Sequence, residues 1–451
     1  MKVESKRRRG RIGAAAGVAC FAVGTTVPAI AQVPGSVSKP GTAAAPQATP
    51  TAAFNSAPAT VAPTVPAGAQ AAVATVPGMP PVVDSANLYS ETTAGKISAA
   101  VAGDLARVYV PHVTSNDVYV IDPATMKVVD RYKTGMNPQH VVPSWDLKTL
   151  WVANNAEGRK DGSLTPIDPK TGKPGKAIPV DDPYNVYSTP DGKSVIIVAE
   201  AYKRLDFRDP KTLELQYSLD VPQCGGINHA DFSIDGKFAI FTCEFNGTVA
   251  KIDLVARKVL GYVQLIKPGK PTQTVKGIDG RDETICTSWK GMPQDVRISP
   301  DGRLFFVADM MSDGVYVLDG ATFRQVDFIP TGIGAHGLYP SRDGRKLYVA
   351  NRGSNKIHGP KKGKGSVSVI DFETRKVEAT WPVPGGGSPD MGNVSADGKT
   401  LWLAGRYDNV VYAIDTSNGK MRSIAVGREP HGLTVWPQPG RYSLGHTGNM
   451  R

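Results

Sequence analysis

From about residue 97 to residue 437 the chain alternates short apolar runs with polar turns, and the runs recur in a fixed order. Seven times a phrase of alternating positions ends in aspartate: VYVID, LTPID, LDFRD, VAKID, VYVLD, VSVID and VYAID, closing at Asp122, Asp168, Asp209, Asp253, Asp319, Asp371 and Asp415. The gaps are 46, 41, 44, 66, 52 and 44 residues, close in five cases to the length of a four-stranded propeller blade. A second landmark precedes each phrase: Asp191-Gly192, Asp235-Gly236, Asp301-Gly302, Asp343-Gly344 and Asp397-Gly398, with Asp146 in the same place earlier. Asp-Gly tolerates the positive φ of two-residue hairpin turns, so TPDGKSVIIVA, SPDGRLFFVAD and SRDGRKLYVAN predict hairpins. Each unit then reads as an inner strand, a turn, two further strands and an outer strand such as KVEATWPVP. The fold class is therefore all-β: a seven-bladed propeller of four-stranded antiparallel blades.

Eight segments resemble an inner strand, the first at Ile97 to Gly103 and the last at His431 to Pro437. The PHGLTV phrase of the last matches the other units better, so it is expected to complete the first blade and join the chain ends. LYVANRGSN, VSVIDFETRKVEATWPV and the SPDG turns resemble the YVTN repeat of YncE-like bacterial propellers. The resemblance implies the fold. It leaves function open, because such propellers include carriers, lactonases, haem-d1 proteins and binding proteins. Two stretches depart from it: Leu265 to Met292, and a lysine-rich loop at Lys356 to Lys364.

Before the repeats, residues 1–32 read as an export signal: Lys6, Arg7, Arg8, Arg9 and Arg11, an apolar run from Ile12, and small residues before Gln32. Residues 33–83 are almost entirely Ala, Pro, Thr, Val, Gly, Ser and Gln, which predicts a disordered linker. The propeller is assigned 84–451, and the expected location is periplasmic or secreted, with no membrane span after processing. The formal charge is +11. The leader's six basic residues against Glu4, together with Lys39, account for +6 and leave +5 from residue 84. Half the electrostatic case for nucleic acid thus disappears, so nucleic acid is not an expected partner. Processing also leaves three cysteines, Cys224, Cys243 and Cys286. One disulfide is expected, with Cys224–Cys243 and Cys224–Cys286 both open.

Aligning the units on the turn aspartate exposes two positions at the start of each inner strand. One set is Gln139, Tyr184, Asn228, Gln294, His336, Asp390 and His431, the other His140, Asn185, His229, Asp295, Gly337, Met391 and Gly432. Four of the chain's seven histidines fall in these fourteen positions. Inner strands surround the central channel, so their starts converge on one mouth. The candidate binding residues are His140, His229, His336, His431, Asp295, Asp390, Asn185 and Gln294, joined by Arg352 and Arg406 after the second strands. Neutral imidazole is the commonest metal ligand, so His336, His431, His140 and His229 are also candidate ligands for copper or zinc. Adjacent strand residues face opposite ways, which predicts two separate histidine pairs as readily as one cluster. Neither pair comes from neighbouring blades, which favours a ligand bridging the channel.

The chain has no GxSxG elbow, phosphate loop or Cys-His signature. The expected function is therefore an exported monomeric binding module for a small ligand, metal or partner protein at the channel mouth. Two alternatives stay open. A haem-d1-type redox propeller is weakened by the lack of a CxxCH motif. A lactonase-like hydrolase would use His336, Asp295 and Arg406 on an ester carbonyl.

Overall fold

Each aspartate phrase becomes the third strand of an antiparallel blade. In the computed structural model, which describes residues 72–451 apart from 158, 277–281, 359–361 and 447, seven blades follow one another in chain order. The fifth blade is representative: Pro293–Ile298, Leu304–Asp309, Gly314–Asp319 and Arg324–Pro330 pair in sequence from the channel outward. The expected leader, and the linker up to residue 71, lie outside the described residues. Among the described residues no helix is long and apolar enough to cross a membrane.

Strand Thr434–Trp436 pairs antiparallel with Arg107–His112, so the C-terminal segment supplies the inner strand of the first blade. Residues 97–103 instead form a short 3-10 turn, Ala99–Val101, with Ile97 bridged to Pro439 and Gly440. Joining the ends of the chain in one sheet removes the open edge that a linear stack of blades would leave.

The Asp-Gly turns are longer than the pattern predicts. Ser233 N–H donates to Phe238 O at 2.8 Å, enclosing a four-residue connection in which only Gly236 has positive φ, at 74°. The cause is side-chain capping: Asp235 Oδ1 accepts from the Ser233 hydroxyl at 2.7 Å and from Lys237 N–H at 3.1 Å. Ser299, Ser341 and Ser395 repeat this bond to Asp301, Asp343 and Asp397.

Apolar residues of facing sheets interdigitate between blades. Tyr339, Tyr348 and Val367 of the sixth blade, for example, pack on Leu401, Leu403 and Tyr412 of the seventh. Cys224 and Cys243 form a disulfide inside the fourth blade, and Cys286 is buried and unpaired. The stretch after the fourth blade contains an added hairpin, Gln273–Lys276 with Asp282–Ile285.

Both ends of the described chain lie on the turn face. Residues 76–105, which include the last part of the predicted linker, run along it. Val76 N–H donates to Asp235 O, Leu88 N–H donates to Pro300 O, and the Tyr89 hydroxyl donates to Ile298 O at 2.6 Å. The C-terminal segment turns back as a hairpin with arms 441–446 and 448–451, bridged at Ser443 and Met450. It enters the channel itself: Gly445 bridges Tyr187, Asn449 Nδ2 donates to Ala230 O at 3.0 Å, and Arg451 pairs with Asp231 at 2.6 Å.

Candidate functional site

All six inner strands that lead by a hairpin into a second strand slip register at their first residues, for instance between Pro138 and His140, between Ile227 and Ala230, and between Ala335 and Gly337. A bulge there re-aims side chains that strict alternation would send to opposite faces. The four histidines accordingly form one cluster rather than two pairs. Ring centroids lie 5.4 Å apart for His140–His229, 4.8 Å for His140–His431, 5.9 Å for His336–His431 and 6.4 Å for His229–His336.

A fifth member comes from outside the repeats. The C-terminal hairpin sets the His446 ring 4.5 Å from that of His140 and 4.6 Å from that of His229. No repeat position marks His446, so the alignment that revealed the other four could not reach it. The available signal was a chain continuing past the closing strand as GRYSLGHTGNMR, a segment with no blade to belong to.

All five rings are buried. Burial holds each of them neutral, lowering His140 to about 3 and His336 to about 4, and keeping His229, His431 and His446 well below the ordinary range. Among the described residues, neither nitrogen of His140 has a hydrogen-bond partner, nor does Nε2 of His229. Asn185, on the neighbouring inner strand, donates from Nδ2 to His229 Nδ1 at 3.2 Å and to the Tyr187 hydroxyl at 3.2 Å.

On the other side of the cluster stands Asp390. Arg352 donates to its Oδ1 from Nη2 at 2.7 Å and from Nε at 3.1 Å, and His336 Nδ1 lies 2.9 Å from the same oxygen. Arg406 Nη1 and His431 Nε2 approach Oδ2 at 3.9 and 3.6 Å. Burial, the largest single influence, would raise this carboxyl, but Arg352, His336 and His431 together outweigh it and hold the group well below the usual range. Since Arg352 Nη2 also donates to His336 Nε2, the His336 proton sits on Nδ1, the nitrogen near Asp390.

Two other predicted residues stand in bonds that hold the strands. Asp295 accepts from Val296 N–H at 2.9 Å, Leu338 N–H at 3.0 Å and Arg297 Nη1 at 2.9 Å, pinning the fifth and sixth blades. Its distance to His446 Nε2 is 3.9 Å. Burial lifts its pKa to about 6 despite Arg297. Gln294 donates to Glu244 Oε1 at 2.8 Å. Glu244 was not among the predicted residues; it is raised by burial and also accepts from Asn228 at 3.3 Å.

The site therefore has one closed end. His446 and its hairpin fill the turn-side part of the channel, and the 76–105 strap lies against the same face. Arg352, Arg406 and Tyr407 lie toward the opposite mouth, where Tyr407 Oη bonds Lys356 O and Ile357 O at 2.7 and 2.6 Å.

The family model described as YNCE-like beta-propeller matches residues 281–439, and the one described as Lactonase, 7-bladed beta-propeller matches residues 179–359. The uncharacterised YncE protein of Salmonella typhi is 22% identical over 301 residues, 64% of this chain and 74% of that one. Two solved structures, provisionally assigned as 6-phosphogluconolactonases, share the fold. That from Bacteroides fragilis is 15% identical with a TM-score of 0.54, over 74% of this chain and 99% of the other. That from Bacteroides uniformis is 17% identical with a TM-score of 0.52, over 73% and 99%. At such identities the likeness to the solved structures shows the fold alone. The seven blades and their repeat phrases make the chain a seven-bladed β-propeller, similar over part of its length to the YncE-like propellers.

Proposed function

We propose that the chain is an exported binding module that holds a small ligand or a metal ion at the histidine cluster of its central channel, entered from the mouth opposite the turn face. One observation carries this reading: His140 and His229 turn three unpartnered ring nitrogens into a buried, polar part of the channel. Buried polar groups left without a partner cost about 1–3 kcal/mol each, a cost that packing for its own sake would not repeat within one cluster. A bound group offering lone pairs, protons or a metal's empty orbitals would satisfy them. Export is supported by the basic and apolar leader and by the Cys224–Cys243 disulfide, a bond that persists in oxidising compartments.

The direct test compares the mass of the chain purified from its native host under native and denaturing conditions. An excess that vanishes on denaturation supports the reading, and its size separates an ion from an organic ligand. No excess, together with no stabilisation by any of a panel of metal ions and small anions, overturns it.

A second reading is a lactonase-like hydrolase, favoured by the lactonase-family match over residues 179–359, which takes in His229, Asp295, His336 and Arg352. His336, held neutral by burial, would act as general base once substrate displaces Arg352 from its Nε2, and Arg406 would polarise a carbonyl. Acid release from five- and six-membered lactones, lost in His336→Gln, is the outcome that reading requires.

A further inference from the structure

We propose that His140, His229 and His446 form a three-histidine site for a divalent zinc or copper ion, and that the C-terminal hairpin is its third arm. The inference rests on the binding-module reading and names its ligand. One nitrogen from each ring lies within 4.8 Å of the others. Metal–nitrogen bonds of about 2.0–2.1 Å would draw tetrahedral ligands to about 3.3 Å from one another, a closure of up to roughly 1.5 Å. The mobile partner in that closure is the hairpin, because His140 and His229 stand on blade strands while His446 stands on a segment outside the sheets.

The ligand set selects the ion. Three imidazoles without a carboxylate or thiolate among them suit zinc or copper(II) rather than calcium or magnesium, and three protein ligands leave a fourth position for water or a small ligand. Asn185 is the orienting partner of His229. As placed, its Oδ1 accepts from Val186 N–H at 2.9 Å and its Nδ2 faces His229 Nδ1, which leaves the ring proton on Nε2. Coordination through Nε2 moves that proton to Nδ1, and turning the amide over then gives it Oδ1 as an acceptor in exchange for the bond from Val186 N–H.

The neighbouring group of His336, Asp390 and His431 also clusters, but it already holds a cation. The Arg352 guanidinium lies on Asp390 and donates to His336 Nε2, the nitrogen a metal would need. There an arginine occupies the ring nitrogen a metal would need, whereas among the described residues both nitrogens of His140 and Nε2 of His229 have no hydrogen-bond partner.

The test uses the full exported chain stripped with a chelator and then titrated calorimetrically with zinc chloride or copper sulfate. One ion per chain is expected. Affinity should fall in His446→Ala and His446→Gln by more than the roughly 10–100-fold that loss of an outer-shell partner costs, and should be unchanged in His358→Ala. In the unaltered chain, zinc should slow amide exchange across residues 443–450. Failure of the stripped chain to bind either ion overturns the metal site and leaves an organic ligand, seen as a mass excess, still standing. Binding that persists in both His446 variants, or exchange at 443–450 that zinc does not change, overturns the hairpin as the third arm.

Discussion

The imidazole of His140 occupies the space that a β-carbon on Gly432 would fill. The two residues belong to chain segments nearly three hundred positions apart, held backbone to backbone: Gly432 N–H donates to Gln139 O at 2.8 Å, and Val141 N–H donates to Gly432 O at 2.9 Å. The glycine is therefore a condition for the histidine's placement, set by the closing segment.

Gly432→Ala should push the His140 ring off its position while leaving the blades intact. Overpacking of this kind costs about 1–3 kcal/mol, and zinc affinity should drop about tenfold or more. In a His140→Ala background the same substitution should cost much less stability, because the space is then free. A double-mutant cycle followed by urea unfolding and zinc titration reads both couplings. Additive effects would mean that the ring and the glycine do not constrain each other.

Arg352 should matter to stability more than any other mouth residue. It is buried with Asp390 and is that carboxylate's main charge partner. Arg352→Met leaves a buried carboxylate without its guanidinium, which typically costs about 3–5 kcal/mol. Adding Asp390→Asn should recover part of that loss by removing the orphaned charge. If the double variant is less stable than Arg352→Met, Asp390 contributes through bonds other than the one to Arg352.

The sequence carried the blades because each blade repeats the same physical requirements: apolar alternation, a capped turn and an aspartate ending the third strand. It also carried His140, His229, His336 and His431, since a repeat places equivalent residues on a common circle around the channel. Whether they form one cluster or two pairs was not legible. It depends on bulges at Pro138–His140 and its counterparts, and nothing in the alternation of side chains marks a bulge. His446 was invisible for a different reason. It reaches the channel through tertiary contacts of a non-repeating tail, such as Asn449 on Ala230 and Arg451 on Asp231. The turn length was missed because Asp-Gly was read by its backbone preference alone, whereas the serine or threonine hydroxyl two residues before each aspartate sets the geometry.

A pH dependence follows from Asp182, beside the mouth end of the third blade's inner strand. Burial raises its carboxyl to about 6, although Ala201 N–H donates to it. The folded state thus holds this proton at pH values where the unfolded chain has released it. Its contribution to stability is full below about 4, the unfolded value, and is lost as pH rises through about 6. Asp182→Asn should remove that slope, so that unfolding midpoints of the two proteins diverge between pH 4 and 6 in favour of the variant as pH increases. Parallel curves across that range would show that Asp182 titrates normally.

The closing strand offers a graded test of how the ring of blades is held. Trp436 is buried among Tyr109, Val118 and Val141, and its Nε1 donates to Asp104 Oδ2 at 2.8 Å. Packing and hydrogen bond act at one place with different weights. Trp436→Ala removes both and opens a cavity, for which about 3–5 kcal/mol is expected. Asp104→Ala removes only a partly exposed acceptor, and about 1 kcal/mol is expected. If burial of the closing strand is what joins the chain ends, Trp436→Ala should also expose the edge of strand Arg107–His112, visible as faster amide exchange at Arg107 and Tyr109 and as concentration-dependent association. Equal losses from the two variants would assign the closure to the hydrogen bond instead.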